Sequence, residues 1–168
     1  CRAFTPISIL GKMFRYLADQ TKTPICCHLD HGFSYNECKD GINSGFTSVM
    51  FDGSKMNLKD NIKISAKISN LAHKYNVSVE GEIGEVGYHK GNKSKNTNIN
   101  EVKKFASKSK VDAMAISVGN THLQTSKIAK INYKKIIEIQ NLTNLPLVLH
   151  GSSGITHLMR NKIARMTK

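Results

Sequence analysis

Two histidines and an aspartate fall within four consecutive positions of Cys27-His28-Leu29-Asp30-His31-Gly32, at the end of the short apolar run Pro24-Ile25-Cys26-Cys27. Two further histidines end comparable runs: His122 follows Met114-Ala115-Ile116-Ser117-Val118-Gly119, and His150 follows Pro146-Leu147-Val148-Leu149. Zinc prefers imidazole nitrogen, and a catalytic zinc site takes three protein ligands and leaves one position open. His31, His122 and His150, one from each run, suit that pattern. A lone histidine at a strand end is as readily a packed or solvated residue; recurrence at equivalent places is what separates this set. Asp30, beside His31, has the chemistry to move a proton or to orient a histidine, and equally to cap a helix or join an ion pair. Glu80 and Glu82 stand two residues apart, on one side of a strand, where they would serve acid–base or second-metal chemistry or simply meet solvent.

These side chains meet only if the elements that carry them put their ends on a common edge. Residues 5–20 predict an amphipathic helix, with Ile7, Leu10, Phe14, Leu17 and Ala18 on one face. Residues 25–29 predict a buried strand, and Ser34 with Glu37 three positions later predicts a capped helix that ends at Gly45. Strand 47–51, helix 58–75 and strand 77–82 follow. Residues 84–100, rich in Gly, Lys and Asn, predict a long mobile loop of the kind that is either functional or disordered. Then come helix 100–109, strand 113–118, a loop, a helix bearing Tyr133, Ile136 and Ile137, strand 147–150, a Gly-Ser-Ser-Gly turn and a last partial helix. One helix followed by five strand–helix units implies an α/β protein with a parallel sheet and right-handed crossovers, its strand ends lying together. No Gly-x-Gly-x-x-Gly follows any strand, which argues against a nucleotide-binding sheet.

At 168 residues the chain is long enough for a single domain, 1–168, with a real core. It is shorter than the roughly 250 residues of a complete (β/α)₈ barrel, and with Cys1 in place of an initiator Met it is expected to be a fragment. No run is apolar and long enough to span a membrane and no signal-peptide pattern is present, so a soluble, cytoplasmic protein without membrane partners is expected. The four cysteines lack zinc-ribbon or disulfide spacing and are expected to be reduced and mostly buried. A net charge of +13 raises a nucleic-acid surface as an alternative. The lysines, however, are spread along the chain among Asn and Ile, with no basic helix or aromatic ladder, and no nucleic-acid partner is expected.

Four ordered motifs carry a family resemblance: His28-Leu29-Asp30-His31-Gly32, residues 45–54 (Gly-Phe-Thr-Ser-Val-Met-Phe-Asp-Gly-Ser), residues 78–84 (Ser-Val-Glu-Gly-Glu-Ile-Gly) and residues 146–154 (Pro-Leu-Val-Leu-His-Gly-Ser-Ser-Gly). With them the chain resembles, over essentially its whole length, the class II, metal-dependent fructose-bisphosphate/tagatose-bisphosphate aldolases. The resemblance implies a TIM (β/α)₈ barrel, present here as an incomplete fragment of about five βα units that lacks the first two strands and the last. It implies one zinc ion per chain, or another divalent metal, bound by His31, His122 and His150. Asp30 would be the catalytic residue handling the proton on the oxygen at the bond being cleaved. Glu82 would serve an alternative metal position, Asp52 would lie near the metal, and Gly151 and Ser153 would belong to the phosphate-binding surface. The implied reaction is reversible retro-aldol cleavage of fructose 1,6-bisphosphate, a step of glycolysis, in a full-length homodimer or homotetramer. Tagatose bisphosphate as substrate, or a non-catalytic relic of the family, is the alternative.

The chain departs at two places from the pattern that this resemblance leads one to expect. Leu123 replaces the Gly that directly follows the second histidine ligand, and Gly87-Tyr88-His89-Lys90-Gly91 replaces Gly-Gly-x-Glu-Asp, so that Lys90 stands where the family has a glutamate. Five strands alone leave both sheet edges open, and an isolated chain is expected to fold poorly or to aggregate.

Overall fold

The computed structural model describes residues 4–91, 93–125 and 128–166. Five strands form one sheet in the order β1-β2-β3-β4-β5, with helices between them. The chain divides into two compact units, Cys1–Gly81 with Ser109–Asp112, and Glu82–Lys108 with Ala113–Lys168.

In the first unit, α1 (Ile7–Asp19) is followed by β1 (His28–Gly32), α2 (Tyr35–Asn43), β2 (Ser48–Phe51), α3 (Leu58–Ala72) and β3 (Ser78–Ile83), whose last two residues belong to the second unit. The helices begin where the sequence supplies acceptors for their unpaired N–H groups. Ser34 Oγ accepts from Glu37 N at 3.1 Å, and the Glu37 carboxylate accepts from Phe33 N at 2.6 Å. Asn57 Oδ1 accepts from Asp60 N at 3.0 Å at the head of α3. Leu29, Val49, Met50, Phe51, Ile68, Ala72 and Val79 are buried and form the core of this unit. β2 and β3 pair in parallel without interruption from Ser48↔Ser78 to Phe51↔Gly81.

The pairing of β1 with β2 is interrupted. Leu29 pairs with Val49 and Gly32 with Phe51, so Asp30 and His31 together stand opposite the single residue Met50. The extra residue bulges out of the ladder, and His31 takes a left-handed backbone, φ 52°. Bulges re-aim side chains, and a left-handed histidine costs about 1 kcal/mol or more. β1 therefore starts later than the apolar run and extends through the chemistry. Residues 24–27 are not strand because β2 begins only at Ser48; Cys27 instead meets Thr47 and Ser48 through its N–H, which donates to Thr47 Oγ1, and its carbonyl, which accepts from Thr47 N and Ser48 N.

The second unit carries α4 (Ile99–Ser109), whose last residue belongs to the first unit, β4 (Ala113–Ile116), α5 (Tyr133–Gln140), β5 (Leu147–Val148) and α6 (His157–Met166). Met114 pairs with Leu147 and Ala115 with Val148, in parallel. Val102, Phe105, Met114, Ala115, Ile116, Val118, Ile136 and Ile139 fill its core. Both strands are shorter than the sequence predicts. At the end of β4, Ser117 N donates to Thr97 Oγ1 and Val118 N to Asn120 Oδ1, each at 2.8 Å, so side chains take over where a neighbouring strand would have accepted. β5 ends with its last partner on β4, which leaves His150 two residues beyond the strand.

The stretch 84–100 carries a backbone pairing that its composition does not predict. Glu85 and Lys95 exchange both backbone hydrogen bonds, at 2.7 and 2.8 Å, closing the segment on itself. Buried Thr97 pins its return by donating to Ile83 O at 2.8 Å while its own N–H reaches Ser117 O at 2.9 Å. Of the cysteines, Cys27 and Cys38 are buried and Cys26 is exposed; Cys1 lies outside the described residues. No helix among the described residues is long and apolar enough to cross a membrane.

Candidate metal centre

Within the first unit the bulge delivers His31 to Asp52. The His31 side chain is largely buried, and its Nδ1 lies 2.9 Å from Asp52 Oδ2. Asp52 is itself held, its Oδ1 accepting from Ser54 N at 3.1 Å and from Ser54 Oγ at 2.6 Å. Burial acts to raise the pKa of Asp52, but the hydrogen bonds from His31 and Ser54 outweigh it and hold the carboxyl below its ordinary value. An ionised Asp52 accepts from Nδ1–H, which fixes the tautomer of His31 and places the lone pair on Nε2. Asp30 sits on the other side: its Oδ1 is 3.7 Å from His31 Nε2, and its side chain is mostly exposed. His28 serves a different purpose, its Nδ1 being 2.8 Å from Ser48 Oγ and its Nε2 3.7 Å from Glu80 Oε2. Glu80, nearly buried, is thus occupied along the sheet with His28.

The second unit brings His122 and His150 together, with ring centroids 5.9 Å apart and planes tilted by 50°. Asn120, fully buried, organises both segments: its amide donates to Ile116 O at 3.2 Å and to His150 O at 2.9 Å, while its Oδ1 receives Val118 N. Gly151 follows His150 with φ 66°, and a Cβ there would lie 2.5 Å from the Thr121 carbonyl oxygen, so this turn requires glycine. Ser153 Oγ accepts from Gln124 N at 3.1 Å, fastening the Gly-Ser-Ser-Gly turn to the segment just past His122. Glu82 is buried and accepts from Val86 N at 3.1 Å.

Leu123 keeps the left-handed backbone that suits a glycine, φ 51°, while its side chain stays 75 % exposed. The strain of roughly 1–2 kcal/mol that a Cβ adds in this region is thus not recovered by burial. Lys90 lines a surface cavity with Tyr88, His89, Gly91, Leu123 and Thr125. Nothing in the sequence singles out Asn120 and Ser54, which hold the histidine segments and Asp52. Their only signal was a Gly-Asn and an Asp-Gly-Ser at strand ends, which read equally well as ordinary turns.

A family model described as fructose-bisphosphate aldolase class-II matches residues 1–167. The chain belongs to this family. It is 40 % identical over 154 residues to a 6-phospho-5-dehydro-2-deoxy-D-gluconate aldolase of Shouchella clausii, covering 90 % of this chain and 52 % of that protein. It is 44 % identical over 138 residues to a fructose-bisphosphate aldolase of Mycoplasma genitalium, covering 80 % of this chain and 47 % of the relative. The chain therefore spans about half the length of these curated relatives. Among solved structures, the YdjI aldolase from Escherichia coli K12 superposes with a TM-score of 0.84 at 24 % identity, over 98 % of this chain and 58 % of that one. That likeness is one of fold, and it places the parallel sheet described above among the aldolase folds.

The imidazoles of each unit suit a divalent metal on their chemistry. Imidazoles are intermediate ligands that suit zinc and its neighbours, His31 is held in the tautomer whose Nε2 can bind, and a carboxylate behind a ligating histidine is the usual support of such sites.

Proposed function

We propose that the protein carrying this chain is a metal-dependent aldolase that reversibly cleaves fructose 1,6-bisphosphate to dihydroxyacetone phosphate and glyceraldehyde 3-phosphate. Within it the chain would be one section of a (β/α)₈ barrel, with His31, His122 and His150 holding one zinc or similar divalent ion. Family membership supports the reaction class, and the observation that carries the reading furthest is the orientation of His31 by Asp52 at 2.9 Å. The bound metal would supply a Lewis acid for the negative charge that develops on the ketone-derived fragment. Asp30, exposed and next to His31, takes the proton from the hydroxyl at the breaking carbon–carbon bond and returns it in the condensation direction. Asp52 acts through His31, whose ring it holds. Gly151 and Ser153, in the turn after His150, contribute to holding a substrate phosphate.

The test is release of aldehyde from fructose 1,6-bisphosphate in a coupled assay. Turnover lost on chelation and regained with zinc is the expected result; release that ignores the chelator sinks the metal-dependent mechanism. The 40 % identity to a 6-phospho-5-dehydro-2-deoxy-D-gluconate aldolase makes that compound the competitor to include, and tagatose 1,6-bisphosphate belongs beside it. A clear preference for either replaces the substrate and keeps the reaction class.

Asp52→Asn should weaken metal binding by about 10- to 100-fold, because the neutral amide no longer enforces the His31 tautomer. A chelator-competition titration reads this directly, and an unchanged constant would remove Asp52 from the site. A non-catalytic relative of the family is the second reading, favoured by Lys90 in place of the expected glutamate and by the strained Leu123. It predicts metal binding without turnover on any of the three substrates.

A further inference from the structure

His122 is held differently from His31. Its N–H donates to Gly87 O at 2.8 Å and its carbonyl accepts from His89 N at 3.0 Å, so both backbone groups are tied to the residues flanking Tyr88. Tyr88 and His122 are paired as a parallel bridge, and their rings stack with centroids 4.8 Å apart and planes 23° from parallel. Ser94 Oγ locks the two segments together, accepting from Gly87 N at 3.0 Å and donating to Asn120 O at 3.2 Å. The family pattern Gly-Gly-x-Glu-Asp that the resemblance leads one to expect has a glycine where this chain has Tyr88.

We infer that Tyr88 is a positioning residue for His122, fixing the plane of its imidazole for metal binding; the inference rests on the metal reading above. An imidazole binds through a lone pair in the ring plane, so the metal feels any rotation of the ring. Backbone hydrogen bonds fix where the side chain starts, but leave rotation about its two side-chain bonds. A stacked ring on one face removes most of that freedom without occupying a ring nitrogen. In this way Tyr88 gives His122 what Asp52 gives His31: a ring that needs little reordering when the ion arrives.

Cobalt(II) serves as the probe, because its visible absorption reports ligand geometry while a competing chelator reports affinity. Tyr88→Ala should weaken binding about three- to tenfold, the worth of an aromatic stack, and alter the cobalt band, whereas Tyr88→Phe keeps both at wild-type values. Tyr88→Leu retains apolar bulk without the flat face and should resemble the alanine variant, which guards against a simple loss of folding. Wild-type affinity and spectrum in Tyr88→Ala or Tyr88→Leu overturn the inference, as does a phenylalanine variant as weak as alanine. His122→Ala in the same titration separates the two ideas. If it binds as wild type, the metal assignment falls and this inference with it; if it loses the ion while Tyr88→Ala does not weaken it, only this inference falls.

Discussion

Replacing His150 with alanine is expected to abolish tight binding of the single zinc equivalent proposed for the wild-type protein. Zinc held by four protein ligands is bound with roughly 10–16 kcal/mol, so each ligand carries about 3 kcal/mol and its loss weakens binding by more than about a hundredfold. The substitution is a clean one here. The Asn120 amide holds His150 through its backbone carbonyl, and the left-handed turn that follows belongs to Gly151, so both survive in the alanine variant. What disappears is the imidazole itself and its contact with the His122 ring. A competitive titration of the two proteins against a chromophoric chelator decides the matter. Affinity within about twofold of wild type would mean that His150 is packing, not ligand.

The histidines could be found in the sequence because each follows an apolar run, and such runs mark strands whether or not their exact limits are known. The limits themselves were less legible. Leu149 reads as strand by its apolar character, yet β5 stops at Val148 because its partner β4 has turned away to Thr97 and Asn120. Hydrophobic pattern reports burial; strand ends are decided by pairing, which involves residues far away in sequence. The bulge at Asp30 and His31 was hidden for a related reason. In strict alternation, neighbouring residues point to opposite faces, and only an extra residue in the ladder changes where both point. The capped helix at Ser34 was legible in full, since its signal is local and its cause is local. Residues 84–100 were not, because the Glu85 and Lys95 pairing is made by backbone groups that every residue type carries. Tyr88 shows the same limit from the side of the site. An aromatic residue in a Gly-rich loop suggests nothing particular until the fold puts His122 under its ring.

Asp30→Asn is the other substitution expected to have a large effect, and it separates chemistry from assembly. Positioned general acid–base groups contribute about 10²- to 10⁴-fold to turnover, and an amide of the same shape has no proton-accepting carboxylate to offer. Asp30 is mostly exposed and stands 3.7 Å from His31 Nε2, while the bond that orients His31 comes from Asp52. Removing the charge at position 30 should therefore leave folding within about 0.5 kcal/mol and metal affinity within about threefold, while turnover falls by at least about a hundredfold. Single-turnover cleavage, stability and chelator competition, measured on one preparation, test all three parts. Undiminished turnover would move the proton transfer to another group, and His89, in the loop where Lys90 has displaced the expected glutamate, would be the next to examine. A collapse of metal affinity would instead make Asp30 part of the ion's surroundings. Lost turnover with the metal still bound is the outcome that assigns the proton to Asp30. The bulge would then have a chemical purpose: it sets His31 back against Asp52 and leaves Asp30, its neighbour in the chain, facing outward to work.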